Sequence, residues 1–141
     1  PDVAASGRFV TLFLMEVDPA VRELRYVRAG HDPAMLASPE AGLQELTTPG
    51  MALGVLEDSV YTMSRTTYEP GSLAACSTDG VWEARSAAGE TYGKPRLESL
   101  VAEQAASPAQ AVVDAVLADH RRFLAGAEAQ DDATIIAVKL L

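Results

Sequence analysis

Leu73-Ala74-Ala75-Cys76-Ser77-Thr78-Asp79-Gly80-Val81-Trp82 sets an uncharged, largely apolar run directly against an acid and a glycine. The run is short and is bounded upstream by Pro70-Gly71, a pair that reverses the chain, so it reads as a buried strand. It stops abruptly at Asp79. Gly80 then lets the backbone turn sharply with no side chain in the way, which leaves a carboxylate at the end of a rigid element. A helical stretch is expected next, over Val81-Trp82-Glu83-Ala84-Arg85.

Upstream of this point the chain reads as hairpins throughout. Arg8 to Val17 is rich in β-branched and aromatic residues and apolar at nearly every position, which predicts a central strand buried on both faces. Asp18-Pro19-Ala20-Val21 supplies a turn, and Glu23 to Arg28 alternates polar with apolar, as a strand with one wetter face does. Ala29-Gly30-His31-Asp32-Pro33 ends that strand. Further strands are expected at Ala34 to Ser38, Leu43 to Leu46 and about Val60 to Tyr68, with a glycine-punctuated loop from Pro49 to Gly54.

Downstream, the pattern changes to helical spacing. One helix is expected from Pro95 to about Ala105. A second follows Ser107 as cap and Pro108 at the first helical position, with Val112, Val113, Val116, Leu117 and His120 on one face. His120 on that apolar face reads as packing. A loop from Gly126 to Asp132 leads into a last strand, Thr134 to Val138, which must return past the helices to the sheet. The order is that of an α+β layered sandwich.

The 141 residues are 48% hydrophobic and 22% charged, the composition of one globular domain with a sizeable core. A formal net charge of −9 argues against nucleic acid as a partner, because phosphates need a basic face. No apolar run approaches the roughly 18 to 20 residues needed to span a bilayer, and the start lacks a signal peptide's basic flank and apolar core. A soluble, cytoplasmic domain is expected. Because the sequence opens on Pro1, a further segment is expected upstream. Cys76 stands alone, so it forms no internal disulfide and no unaided structural zinc site, and it reads as a small buried strand residue.

In Gln130-Asp131-Asp132-Ala133-Thr134 two acids stand at the mouth of the last strand. If that strand runs antiparallel beside the one ending at Thr78, then Asp79, Asp131 and Asp132 crowd at the same end of the sheet. Like charges so placed repel, and a divalent cation removes the repulsion. An oxygen-only set suits Mg²⁺ or Mn²⁺ better than zinc. By spacing alone, Asp-Gly is equally a common turn pair and Asp-Asp a solvated loop cap.

Six motifs taken together resemble the SpoIIE and RsbU type of bacterial serine/threonine phosphatase, within the metal-dependent class that includes type 2C enzymes. They are Gly7 to Leu14, Arg25 to Pro33, Leu53-Gly54-Val55, Pro70 to Leu73, Ser77 to Arg85 and Gln130 to Thr134, in that order. The resemblance implies two packed antiparallel sheets flanked by helices, with a binuclear Mn²⁺ or Mg²⁺ centre at one end. It makes Asp79 and Asp131 metal ligands, with Asp132 a neighbouring or substitute ligand. His31 falls in the family's Ala-Gly-His loop, where a bracing role is at least as well supported as a catalytic one.

The implied reaction is hydrolysis of a phosphoserine or phosphothreonine monoester by metal-activated water, with no protein nucleophile. The strand position of Cys76 agrees with this. The implied substrate is a phosphorylated anti-sigma factor antagonist, with a sensory or regulatory domain fused upstream. Two of the family's metal-binding motifs have no counterpart here, and Asp2 reads as linker. The chain therefore resembles the C-terminal portion of a phosphatase domain. The alternatives are a metal-free regulatory or binding module with the same fold, or a small interaction domain whose acidic loops merely keep it soluble.

Overall fold

The computed structural model describes residues 8–128 and 130–141. Strands β1 (Leu12–Asp18), β2 (Glu23–Ala29), β3 (Ala34–Ser38), β4 (Gly42–Leu46), β5 (Ser64–Thr67) and β6 (Leu73–Ser77) precede helices α1 (Asp79–Trp82), α2 (Lys94–Glu103) and α3 (Ala109–Leu124). Strand β7 (Ile135–Lys139) closes the order. The strands form two antiparallel sheets, ordered β1-β2-β5 and β4-β3-β6-β7.

Alternation along β3 explains the layering. Ala34 and Leu36 face Leu24 and Tyr26 of the other sheet, while Met35 and Ala37 face the helices. In β6, Ala74 and Cys76 turn to the inter-sheet core, while Leu73 and Ala75 pack under Leu97, Val101, Val112 and Val116 of α2 and α3. Both strands are apolar on both faces because each is covered on both sides. The result is sheet on sheet on helices, with the helices of the described residues on one side of the four-stranded sheet.

Several expectations need correction. The first strand is not central: β1 starts at Leu12, pairs with β2 alone among the described residues, and leaves Leu12 and Leu14 exposed. An apolar residue facing outward gives the same letter as one facing a second layer, which is why the sequence reads as doubly buried. Val10 instead bridges to Leu53. The strand expected over Val60 to Tyr68 shortens to β5. Pro108 is the N-cap of α3 rather than its first residue, and the Ser107 hydroxyl bonds the Gln104 side chain at 3.0 Å. The reading of Asp2 as linker, and Gly7 in the first motif, lie outside the described residues. No helix among the described residues is long and apolar enough to cross a membrane.

Candidate active site

Strands β6 and β7 are sheet neighbours with Ser77 opposite Ile135. The pairing continues one step further through Thr78. Its backbone N–H donates to the Thr134 carbonyl at 3.0 Å, its hydroxyl donates to the Asp132 carbonyl at 3.0 Å, and the same oxygen accepts the Thr134 N–H at 2.9 Å. One threonine thus ties the end of β6 to the loop before β7.

Gly80 completes the juxtaposition. A Cβ on this residue would lie 2.5 Å from the Asp132 carbonyl oxygen, so only glycine lets α1 approach the loop this closely. Asp79 and the Asp131-Asp132 pair therefore share one end of the sandwich, all three exposed. The Asp79 carboxylate accepts the Gly80 N–H at 3.0 Å, and that of Asp131 accepts the Asp132 N–H at 2.7 Å. They do not crowd into one cluster: the described residues hold no group of three or more His, Cys, Asp or Glu side chains arranged around a cation. Asp79 and Asp131 each turn to a neighbouring amide, which lowers the repulsion that closer approach would bring. The donors present are carboxylate oxygens, the kind that suits a hard divalent cation.

Two hollows adjoin these acids. Asp79 lines a crevice of about 220 Å³ with Thr11, His31, Asp32, Thr78 and Trp82. Asp131 lines a cleft of about 540 Å³ that also takes in Gly80, Trp82 and Arg85, so the indole borders both. His31 is braced: its Nδ1 lies 3.1 Å from the Thr11 hydroxyl, and its carbonyl accepts from the Arg28 guanidinium at 3.0 Å.

Asp32 is the residue that the sequence reading missed. It accepts the Trp82 indole N–H at 2.8 Å and pairs with the Lys94 ammonium at 2.7 Å, while that ammonium sits 4.4 Å from the centre of the indole ring. A buried-edge indole needs an acceptor, and that requirement was the available signal. Cys76 lies within β6, and burial pushes its thiol up, with the charge of Asp32 adding to the effect. A thiol so placed is a poor nucleophile.

The family model described as Stage II sporulation protein E (SpoIIE) matches residues 2–141. This chain belongs to the SpoIIE family. The SpoIIE-family chain is 33% identical to Protein IcfG of Synechocystis sp. over 131 residues, which is 92% of this chain and 20% of that protein. It superposes on the SiaA-PP2C domain of Pseudomonas aeruginosa with a TM-score of 0.80 at 25% identity, over 92% of this chain and 51% of that one. The Mn-presoaked phosphatase domain of SpoIIE from Bacillus subtilis gives a TM-score of 0.70 at 14% identity, over 92% and 56%. The chain spans about half the length of these solved relatives. Its two-sheet architecture is that of the PP2C-like fold.

Proposed function

We propose that this chain is the C-terminal portion of a cytoplasmic, metal-dependent phosphatase domain that hydrolyses phosphoserine or phosphothreonine in a regulatory protein. The observation that supports it most is the Thr78 clamp, which sets Asp79 against the loop carrying Asp131 and Asp132. In this reading Asp79 and Asp131 hold Mn²⁺ or Mg²⁺, with Asp132 beside them, and the rest of the ligand set comes from outside the chain. Bound there, the cation supplies Lewis-acid chemistry, lowering the pKa of water and offsetting charge on the phosphoryl oxygens.

The chain's own residues orient and shield. Thr78 and Gly80 fix the spacing of the acids, Asp32 holds Trp82 beside them, and braced His31 closes the far wall of the crevice. The substrate we infer is a phosphorylated anti-sigma factor antagonist, with a sensory or regulatory domain upstream. The test is phosphate release from a phosphoserine protein by the full-length protein in excess Mn²⁺. Release that is lost on chelation and in both Asp79→Asn and Asp131→Asn is expected. Release that survives either substitution overturns the assignment.

A further inference from the structure

Beyond the acids, the chain after α1 forms a tight reversal. Arg85 and Thr91 face each other across an antiparallel bridge, fastened by backbone bonds from Tyr92 to Ala84, from Ser86 to Glu90 and from Gly93 to Trp82, each 2.9 Å. Tyr92 is buried beneath it. The backbone carrying Arg85 is thus fixed while its side chain is exposed, and that guanidinium enters none of the ion pairs formed among the described residues.

Arg85 and Thr91 both line the cleft of about 540 Å³ that contains Asp131. This is the size of a site for a small ligand or a modified side chain. Glu83 also lines it, so its other charged side chains are both acidic, and Arg85 is the single cationic side chain among the lining residues. A phosphorylated serine carries a charge of about −1.5 to −2, which bare carboxylates repel. An unpaired guanidinium on a rigid turn answers that repulsion, because its planar fork donates to two phosphoryl oxygens at once. The Thr91 hydroxyl across the bridge adds a donor, and Trp82 gives the cleft an apolar flank.

We propose that Arg85, with Thr91 beside it, anchors the phosphomonoester of the substrate in this cleft. The proposal rests on the phosphatase reading above and assigns the residue that positions the substrate.

The experiment uses the full-length protein in saturating Mn²⁺ with a phosphoserine peptide as substrate and inorganic phosphate as competing inhibitor. Arg85→Gln should raise KM and the phosphate inhibition constant in parallel by about 10- to 100-fold, the range for losing charge-assisted hydrogen bonds. Turnover at saturation and the Mn²⁺ activation constant should change little. Arg85→Lys should fall between, keeping the charge without the fork. Arg65→Gln, an exposed change of equal charge on β5, should leave KM alone. Unchanged constants in Arg85→Gln, or an equal rise in Arg65→Gln, overturn the proposal. If the wild type releases no phosphate, the phosphatase reading falls, and calorimetric titration with the peptide and with inorganic phosphate decides the anchor separately. Binding that Arg85→Gln abolishes sustains it; binding equal in both proteins, or absent from the wild type, overturns it.

Discussion

Asp32 and Trp82, 50 residues apart in the chain, are joined by a 2.8 Å hydrogen bond from the indole N–H to a carboxylate oxygen. The other oxygen of the same carboxylate holds Lys94 at the start of α2. One side chain at the end of the β2–β3 turn thus fixes both the short helix that begins with Asp79 and the first long helix behind it. The placement of Asp79 is therefore an outcome of tertiary contacts, since a helix of one turn has little stability of its own.

Asp32→Ala should lower stability by about 1–3 kcal/mol, the cost of losing hydrogen bonds to a charged group. Urea unfolding measures this. Asp32→Asn, whose amide oxygen still accepts the indole N–H, should lose less. Equal stability of the alanine variant and the wild type would show that the clamp is incidental.

Gly80→Ala places a methyl group 2.5 Å from the Asp132 carbonyl oxygen, an atom of the backbone that cannot swing aside. The loop must retreat, at a cost of about 1–3 kcal/mol typical of overpacking. Because that loop carries Asp131, phosphate release should fall further than stability alone explains. Crystal structures of the variant should show the loop displaced from α1.

Asp79→Asn keeps the size of the side chain and removes its charge. Mn²⁺ should raise the melting temperature of the wild-type full-length protein and leave that of the variant unmoved, since stabilisation by a ligand scales with its affinity. Without metal the variant should melt close to the wild type, because the three acids stand apart and are exposed to solvent. His31→Ala should lose much less activity than Asp79→Asn, its ring being engaged with Thr11.

Asp119 on α3 gives a pH dependence with a definite sign. Its carboxylate accepts Arg96 Nε at 2.7 Å, the Tyr92 hydroxyl at 2.9 Å and Arg122 at 3.2 Å, and these partners, Arg96 above all, hold its pKa below the ordinary 3.8. A depressed pKa contributes stability that is present above the unfolded value and lost as pH falls through the folded one. The difference in stability between wild type and Asp119→Asn should therefore be constant above about pH 5 and shrink below pH 4. Burial, with the Asp119 hydrogen bond, raises the pKa of Tyr92 well above its ordinary 10. A raised pKa contributes stability that is lost as pH climbs, so Tyr92→Phe should flatten the alkaline limb from pH 10 upward. Melts across both limbs check the pair.

The strands that were most legible, β3 and β6, are the ones covered on both faces, where every position before the terminal serine is apolar for the same reason. At β1 that rule misleads, because Leu12 and Leu14 are apolar without being covered. The start of α3 falls one residue later than the Ser107-Pro108 pattern predicts, and the Ser107 hydroxyl is engaged with Gln104 instead. The approach of Asp79 to the Asp131-Asp132 loop was legible because strand register carries a loop with it, and register follows from pairing β6 with β7. The Asp32 clamp and the placement of Arg85 were not, because their partners are 50 and more residues away or are set by the shape of a turn rather than by spacing.

The outer strands of the two sheets are unequal in a way that bears on handling the protein. Edges β4 and β5 carry Gln44, Glu45 and Arg65, the polar residues that discourage strand addition. Edges β1 and β7, among the described residues, offer free backbone groups beside exposed Leu12, Leu14, Ile136 and Val138. Each is a template on which another copy can lay a strand, and the two belong to different sheets. Both are therefore the places where strand addition between copies is expected when this span is prepared by itself.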